Sequence, residues 1–456
     1  MYEEYPFWNA LVRAAGFDVI LSSESTFGRY EGALNTVMSD NICFPAKLAH
    51  SHLKELNETP EVDRILMPYV VYEHNDDPDN TLNSFNCPVV SGYSDVIKSV
   101  IDLKKPIDSP VINFANDKAL EKQIVEYLHG LGVNKKTAKA ALQEAIKAQG
   151  EYNKEIKEKA LEILGHSSLA ADLQSDGKQR TSKLTILLAG RPYHTDPLVQ
   201  HKLSEMIANL GVNVISDDIA RNIPDMEGEG DKDDASHCVA ETYLVKQWAY
   251  MNRIMKSAQW AAEQGNDVHF VQMTSFGCGP DSFIQDEIRD IMKRHGKPFT
   301  LLKIDDVSNI GSLKLRVRSL VESLQSQVAH GLLAADYKSA EHLTEAQPLV
   351  QTKVFTRQDV HRKILAPFMT EYLTPIIPPI LKLIGYDVEV LPMSDEASAE
   401  LGLRFANNEV CYPATLIVGD IIKALKSGKY DLQNTAVVMS QTGGQCRATN
   451  YAGLIK

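Results

Sequence analysis

At 456 residues the chain exceeds what one hydrophobic core organises, and domains of about 150 residues apiece would give two or three. Apolar residues make up 44% and charged residues 23%, which excludes a disordered chain, and no run approaches the roughly 18 uncharged apolar residues of a membrane span. With 47 basic against 60 acidic side chains the net charge is −13, which repels phosphate backbones, so neither nucleic acid nor membrane is an expected partner.

The start of the chain, Met1 to Trp8, is acidic and aromatic where a signal peptide would be basic and then aliphatic, so a cytoplasmic location is expected. Ala15 to Leu21 (AGFDVIL) follows, and then Asn41 to Lys47 (NICFPAK), with a helical run over Leu48 to Leu56. Near the other end Ile384 to Leu391 (IGYDVEVL) is followed by Glu409 to Thr415 (EVCYPAT) and a helical run over Leu416 to Leu425. Two segments sharing Gly-aromatic-Asp-Val and Cys-aromatic-Pro-Ala at nearly one interval mark an internal repeat. Lys363 to Ala366 predicts a strand and Leu373 to Leu383 a helix ahead of the second copy. By analogy the first copy wants a strand that would lie before Met1, and the last copy wants more chain after Lys456.

Between the copies, Asp117 to Gly130 and Asn134 to Gly165 read as helices, with Asn134 as N-cap. Leu184 to Ala189 is a β-rich run, Gly190 to Asp196 a loop, Pro197 to Asn209 a helical stretch and Gly211 to Ile215 a second strand. Val268 to Met273 predicts a further strand, with a helix over Phe283 to His295. Short apolar runs alternating with helical patterns predict parallel sheets covered on both faces. The expected fold class is α/β, with repeated Rossmann-like, doubly wound parallel-sheet domains and an inserted helical segment. The expected division is 1–105 for a first unit, 106–180 for a helical connection, 181–335 for a second unit, 336–358 for a linker and 359–456 for a third unit that repeats the first.

Chemistry is expected in the loops at the carboxyl ends of such strands. Gly190 to His194 (GRPYH) leaves a strand and carries Arg191 and His194, a combination suited to an anion. The six cysteines are too sparse for a disulfide scaffold. Five of them, Cys43, Cys87, Cys278, Cys411 and Cys446, sit in loops marked by Gly or Pro, and the first four of these stand at predicted helix starts, where a thiol is more acidic than usual. Cys238, beside His237, stands apart in an acidic stretch. Thiolates delivered from separate loops suit zinc or an iron–sulfur cluster, and the Cys-x2-Cys pairs usual for zinc are missing.

At Tyr5 to Trp8, SDNICFPAKLAH (39–50), NCP (86–88), GRPYH (190–194), SFGCGPDS (275–282), EVCYPATL (409–416) and GGQCRATNY (443–451), the chain resembles the 2-hydroxyacyl-CoA dehydratase superfamily, in particular the large activase-related proteins that join dehydratase-like domains to an ATPase. The resemblance implies three cysteines on one [4Fe-4S] cluster with one iron left open. Cys43, Cys87 and Cys278 match one set; Cys411 and Cys446 match the start of a second. Some relatives carry a double-cubane [8Fe-9S] cluster and reduce small molecules. The implied partner is an ATP-dependent activase, fused or separate, that delivers one low-potential electron under anaerobic conditions to dehydrate a 2-hydroxyacyl-CoA or related small substrate. That makes the chain a dehydratase-like lyase component. A reductase component, or a non-catalytic electron-transfer or docking scaffold, is the alternative. No G-x4-GK-[ST] phosphate loop is present, so the chain is not expected to be the ATPase itself.

Overall fold

A computed structural model describes residues 2–79, 81–168, 184–220, 242–265, 267–306, 310–329 and 355–456. Cys238 and the linker residues before 355 lie outside these. The chain divides into two compact units, the first built from Met1–Ala240, Lys246–Gly277 and Ile288–Gln347 and the second from Glu241–Val245, Cys278–Glu287 and Pro348–Lys456.

The first unit opens with helices α1 (Tyr5–Ala14), α2 (Phe27–Ala33) and α3 (Phe44–Glu58), followed by short strands β1 (Ile65–Leu66) and β2 (Tyr69–Tyr72) and helix α4 (Pro88–Val100). Strands β3 (Ile107–Asp108) and β4 (Val111–Asn113) pair in parallel with β1 and β2 respectively. A helical hairpin follows, α5 (Asp117–Gly130) and α6 (Lys135–Ser168). Asn116 and Asn134 accept from the backbone amides of Ala119 and Thr137, satisfying donors that a helix start leaves open. Phe7, Trp8 and Leu11 of α1 pack with Phe114, Leu120 and Ile124 and with Ala138, Ala141, Leu142 and Ala145 of α6 in one core.

The rest of this unit is a four-stranded parallel sheet in the order β6-β5-β7-β8, from β5 (Thr185–Ala189), β6 (Asn213–Ser216), β7 (Val268–Ser275) and β8 (Thr300–Ile304). Strands β5 and β7 are buried along their whole lengths, which is why they read as continuous apolar or neutral runs and do not alternate. Helices α7 (Leu203–Asn209), α8 (Asp217–Ala220), α9 (Ala249–Glu263), α10 (Gly279–Arg294) and α11 (Ile310–Ala329) alternate with these strands in the sequence. The parallel α/β class expected from the sequence is the class observed.

Two helical runs are shorter than expected. The stretch from Pro197 becomes α-helical only at Leu203, because His201 and Lys202 take left-handed backbone angles that a helix excludes. Leu373 to Leu383 splits into a 3-10 turn over Thr374–Ile376 and helix α12 (Ile377–Leu383), since three prolines remove the amides a continuous α-helix needs.

In the second unit β9 (Lys363–Ala366) is flanked by β10 (Val388–Val390) and β11 (Thr435–Val437), both parallel to it. Helices α13 (Glu396–Phe405), α14 (Tyr412–Lys426) and α15 (Tyr451–Ile455) complete it, joined by the first half of α10. Gly402 and Gly419 let α13 and α14 meet backbone to backbone: a Cβ at Gly402 would land on the Thr415 carbonyl and one at Gly419 on the Ser398 carbonyl. Val388 is a strand residue, whereas Val19, its counterpart in the first copy, belongs to no strand. A strand exists only where a neighbour accepts its ladder.

Candidate metal centre

Four cysteines occupy one structural position. Cys43 is the N-cap of α3 (φ −62°, ψ 148°), Cys87 of α4 (−62°, 138°), Cys411 of α14 (−61°, 143°) and Cys446 of the 3-10 turn Arg447–Asn450 that leads into α15 (−64°, 144°). Proline stands in the first turn after Cys43, Cys87 and Cys411, where its missing amide is one that a helix start leaves open anyway, and at Cys87 the adjoining Pro88 also holds the cap residue extended. In none of the four does the sulfur bond its own helix start as Ser or Asp would. Each backbone carbonyl takes that role instead, as when Cys43 accepts from Ala46 and Lys47 and Cys411 from Ala414 and Thr415. The positive end of each helix dipole then bears on a sulfur held in a fixed place. None of the five described cysteines is in a disulfide.

Within the first unit, the Tyr93 hydroxyl is pushed up to about 12 by burial and by the Cys43 thiolate. It bonds His50 Nε2 at 2.9 Å, and His50 Nδ1 lies 2.9 Å from Thr36 Oγ1. Thr36 donates its own proton to the Ala33 carbonyl, so it accepts from Nδ1–H, and Nε2 in turn accepts from Tyr93. Burial lowers the His50 pKa and so favours this neutral form. Beside Cys87, Asn86 Oδ1 accepts from the Cys87 amide at 3.0 Å while Asn86 Nδ2 donates to Glu73 Oε1 at 2.8 Å. Glu73 is fully buried, and burial first, then the neighbouring Glu4, holds its carboxyl well above the usual range despite Arg253. Arg253 is itself buried, clamped by Glu3 and Asp76 at 2.8 Å each and stacked on the Tyr250 ring. It also lines a polar cavity with His74, Asp77, Asn252 and Lys256.

Lys47, one turn into α3, reaches Asp306 at 3.2 Å beyond the end of β8, and Tyr30 of α2 donates to the same carboxylate. Arg191 and His194 are both buried in this unit. The Arg191 amide donates to His194 Nδ1 at 2.9 Å, and its guanidinium packs against Met251 and the Tyr193 ring. Gly190 is required there, since a Cβ would collide with the His194 ring. The glycines around Cys278 also have identified neighbours. Gly277, at φ +73°, would bring a Cβ to 3.2 Å from the Asn41 carbonyl, inside the first unit.

The second unit holds Cys278, Cys411 and Cys446. Cys411 Sγ lies 2.9 Å from the Tyr451 hydroxyl. Burial first and then the Cys411 and Cys446 thiols raise that hydroxyl well above the tyrosine range. Phe283 stacks on the Tyr451 ring with the planes 8° apart, and a Cβ at Gly279 would strike the Arg447 guanidinium, so the turn bearing Cys278 packs against the segment bearing Cys446. Among the described residues no group of three or more Cys, His, Asp or Glu is gathered to hold a metal ion. The donors suit an iron–sulfur centre by type and by their repeated helix-start placement, but among the described residues a complete ligand set is not assembled.

The family model described as the CoA enzyme activase uncharacterised domain matches residues 1–219, and that of the 2-hydroxyglutaryl-CoA dehydratase D-component matches residues 133–324. These two matches support a place for the chain in the dehydratase/activase-related superfamily. Comparison with curated proteins found no match. The two matched spans include Cys43, Cys87, Arg191, His194 and Cys278, whereas Cys411 and Cys446 lie beyond them. Tyr93 and Tyr451 are functional candidates that sequence reading passed over. Their signal is a tyrosine six residues after Cys87 and five after Cys446. Among the described residues no helix is long and apolar enough to cross a membrane.

Proposed function

We propose that this chain is an iron–sulfur, dehydratase-like module that accepts a low-potential electron from an ATP-dependent activase, fused or separate, and acts on a 2-hydroxyacyl-CoA or related small substrate. The observation that carries the reading is the recurrence of one Cys N-cap geometry at Cys43, Cys87, Cys411 and Cys446 in two copies of a repeat. A [4Fe-4S] cluster, when bound, would supply the one-electron chemistry and an open iron. The chain's own part is to hold thiolates rigidly at helix starts, where the dipole favours negative charge, and to shield them with Tyr93 and Tyr451. Arg191 and His194, after β5, are proposed for the anionic part of the substrate. The organisation proposed with this is three α/β units, 1–105, 181–335 and 359–456, with 106–180 and 336–358 as connections.

The resemblance groups Cys278 with Cys43 and Cys87. The packing of Gly279 against Arg447 and of Phe283 on Tyr451 favours a second grouping, in which Cys278 joins Cys411 and Cys446. Anaerobic purification and reconstitution, followed by iron and sulfide analysis and EPR after reduction, tests the reading. Iron and acid-labile sulfide with a reduced-cluster signal are expected; a chain that takes up neither would overturn it. Mg-ATP should not be hydrolysed by the isolated, iron-loaded chain, and sustained phosphate release would reassign the ATPase role.

A further inference from the structure

The sheet of the first unit runs in the order β6-β5-β7-β8, so the chain leaves β5 toward one edge and β7 toward the other. In an open parallel sheet that reversal makes a crevice at the carboxyl ends of the two central strands, the place where such folds take small ligands. Arg191 and His194 follow β5 there and are both buried. Gln272 of β7 is in register with Ala189, the last residue of β5. Val271 and Met273 face the core shared with Leu313 and Val317 of α11, so alternation turns Gln272 to the opposite face, where α9 packs on β5 and β7. The Arg191 guanidinium lies 3.5 Å from the Met251 sulfur of α9, on that same side of the sheet. Gln272 is 0% exposed, and among the described residues neither its Oε1 nor its Nε2 has a hydrogen-bond partner. Ser275, which ends the strand, is also buried with no partner for its hydroxyl. A buried amide in this state has lost its water on both polar atoms and gained nothing in return, a cost that a fold carries where a ligand is to be met.

We propose that Gln272 is a specificity-determining residue of this crevice, its amide pairing with a neutral carboxamide or hydroxyl on an acyl chain whose carboxylate is held by Arg191. The inference rests on the reading of Arg191 and His194 as the anion site and adds to it the group read beside the anion. The donor and acceptor inventory fixes the class of that group. Oε1 needs a donor and Nε2 an acceptor; a carboxamide or a hydroxyl supplies both, whereas a carboxylate cannot donate and an ammonium cannot accept. A hydrocarbon of the same shape would leave both atoms of Gln272 unpaired, which is how a buried polar side chain rejects an apolar isostere.

The test needs no cofactor and uses the full chain. Gln272→Leu keeps the size of the side chain and removes its polar atoms. Without ligand this variant should have a higher urea midpoint than the parent, because it relieves two unpaired groups; a lower midpoint would mean that Gln272 has a structural partner and would overturn the proposal. Parent and variant are then titrated calorimetrically with succinamate, with 4-hydroxybutanoate and with 4-methylpentanoate, the apolar isostere of succinamate. The parent should bind one of the two polar acids at least about tenfold more tightly than the isostere, and the stronger of them names the group. Gln272→Leu should erase that preference while the isostere still binds. No preference in the parent, a preference that survives Gln272→Leu, or no binding of any of the three acids would overturn the proposal. Equal binding of all three that Arg191→Met abolishes would overturn it while leaving the anion site in place. Binding that Arg191→Met leaves unchanged would remove Arg191 from the anion site, and the proposal would fall with that reading.

Discussion

Cys411 Sγ and the Tyr451 hydroxyl lie 2.9 Å apart, joining the start of α14 to α15 in the second unit. The corresponding tyrosine of the first unit, Tyr93, turns its hydroxyl to His50 instead. Tyr451→Phe should therefore cost about 1 kcal/mol in denaturant unfolding, and Tyr93→Phe a similar amount through the loss of the His50 partner. Tyr451→Phe should change maleimide labelling at Cys411, because the Tyr451 hydroxyl contacts that sulfur, whereas Tyr93→Phe should leave labelling at Cys411 as it is. Unchanged labelling would show that the Cys411–Tyr451 contact does not form in solution.

The clamp at Asp306 ties α2 and α3 to the end of β8. Lys47 and Asp306 are both mostly buried, so Lys47→Ala takes the cation away from a buried carboxylate and should cost about 3 kcal/mol. Adding Asp306→Asn to Lys47→Ala should recover part of the loss in a double-mutant cycle. Strict additivity would mean that the pair contributes no coupling.

The neighbouring Asp305 gives a pH test. Burial, followed by its hydrogen bond with Asp306, raises its carboxyl to about 6. A carboxyl that keeps its proton longer in the folded state contributes stability below its unfolded value of about 4 and loses it as pH rises through about 6. Asp306 is shifted the opposite way, so its contribution falls as pH is lowered. Asp305→Asn should flatten the decline between about pH 4 and 6 and make the chain more stable above it relative to the parent. Urea midpoints measured across that range show whether it does.

Helices α13 and α14 approach through glycines, which leaves no room for a methyl group. Gly419→Ala and Gly402→Ala should each destabilise the second unit by about 3 kcal/mol, since the obstacle is backbone carbonyl on a facing helix. Gly428→Ala is a useful contrast, because space around it is open and its cost comes from a φ of +72° alone. A thermal melt in which Gly419→Ala leaves the second unit as stable as Gly428→Ala does would contradict the close helix contact.

Much of the fold was legible where local signals agree. Helix α5 begins after Asn116 and ends at Gly130 as its cap and glycine indicate, and β9 occupies the expected Lys363–Ala366. What escaped depends on distant partners. His201 and Lys202 break the expected helix after Pro197 while the His201 ring bonds the Asp305 carbonyl 104 residues further on, a partner that no local window contains. The repeated cysteines carry Gly and Pro beside them and stand out in the sequence. Tyr93, Tyr451, Glu73 and Arg253 do not, because each is an ordinary residue in an apolar or mixed stretch until the fold brings its partner to it.

The most direct test of the central claim is the iron and sulfide content, with EPR of the reduced state, of the anaerobically reconstituted chain and of two double variants, Cys43→Ser/Cys87→Ser and Cys411→Ser/Cys446→Ser. The account predicts bound iron and sulfide in the parent and a fall in both in each double variant. Cys278→Ser, combined with either pair, reports which grouping that thiol serves, since it lowers iron further only where its own partners remain. Iron and sulfide content in both double variants equal to that of the parent would contradict the assignment of these helix-start thiols as cluster ligands.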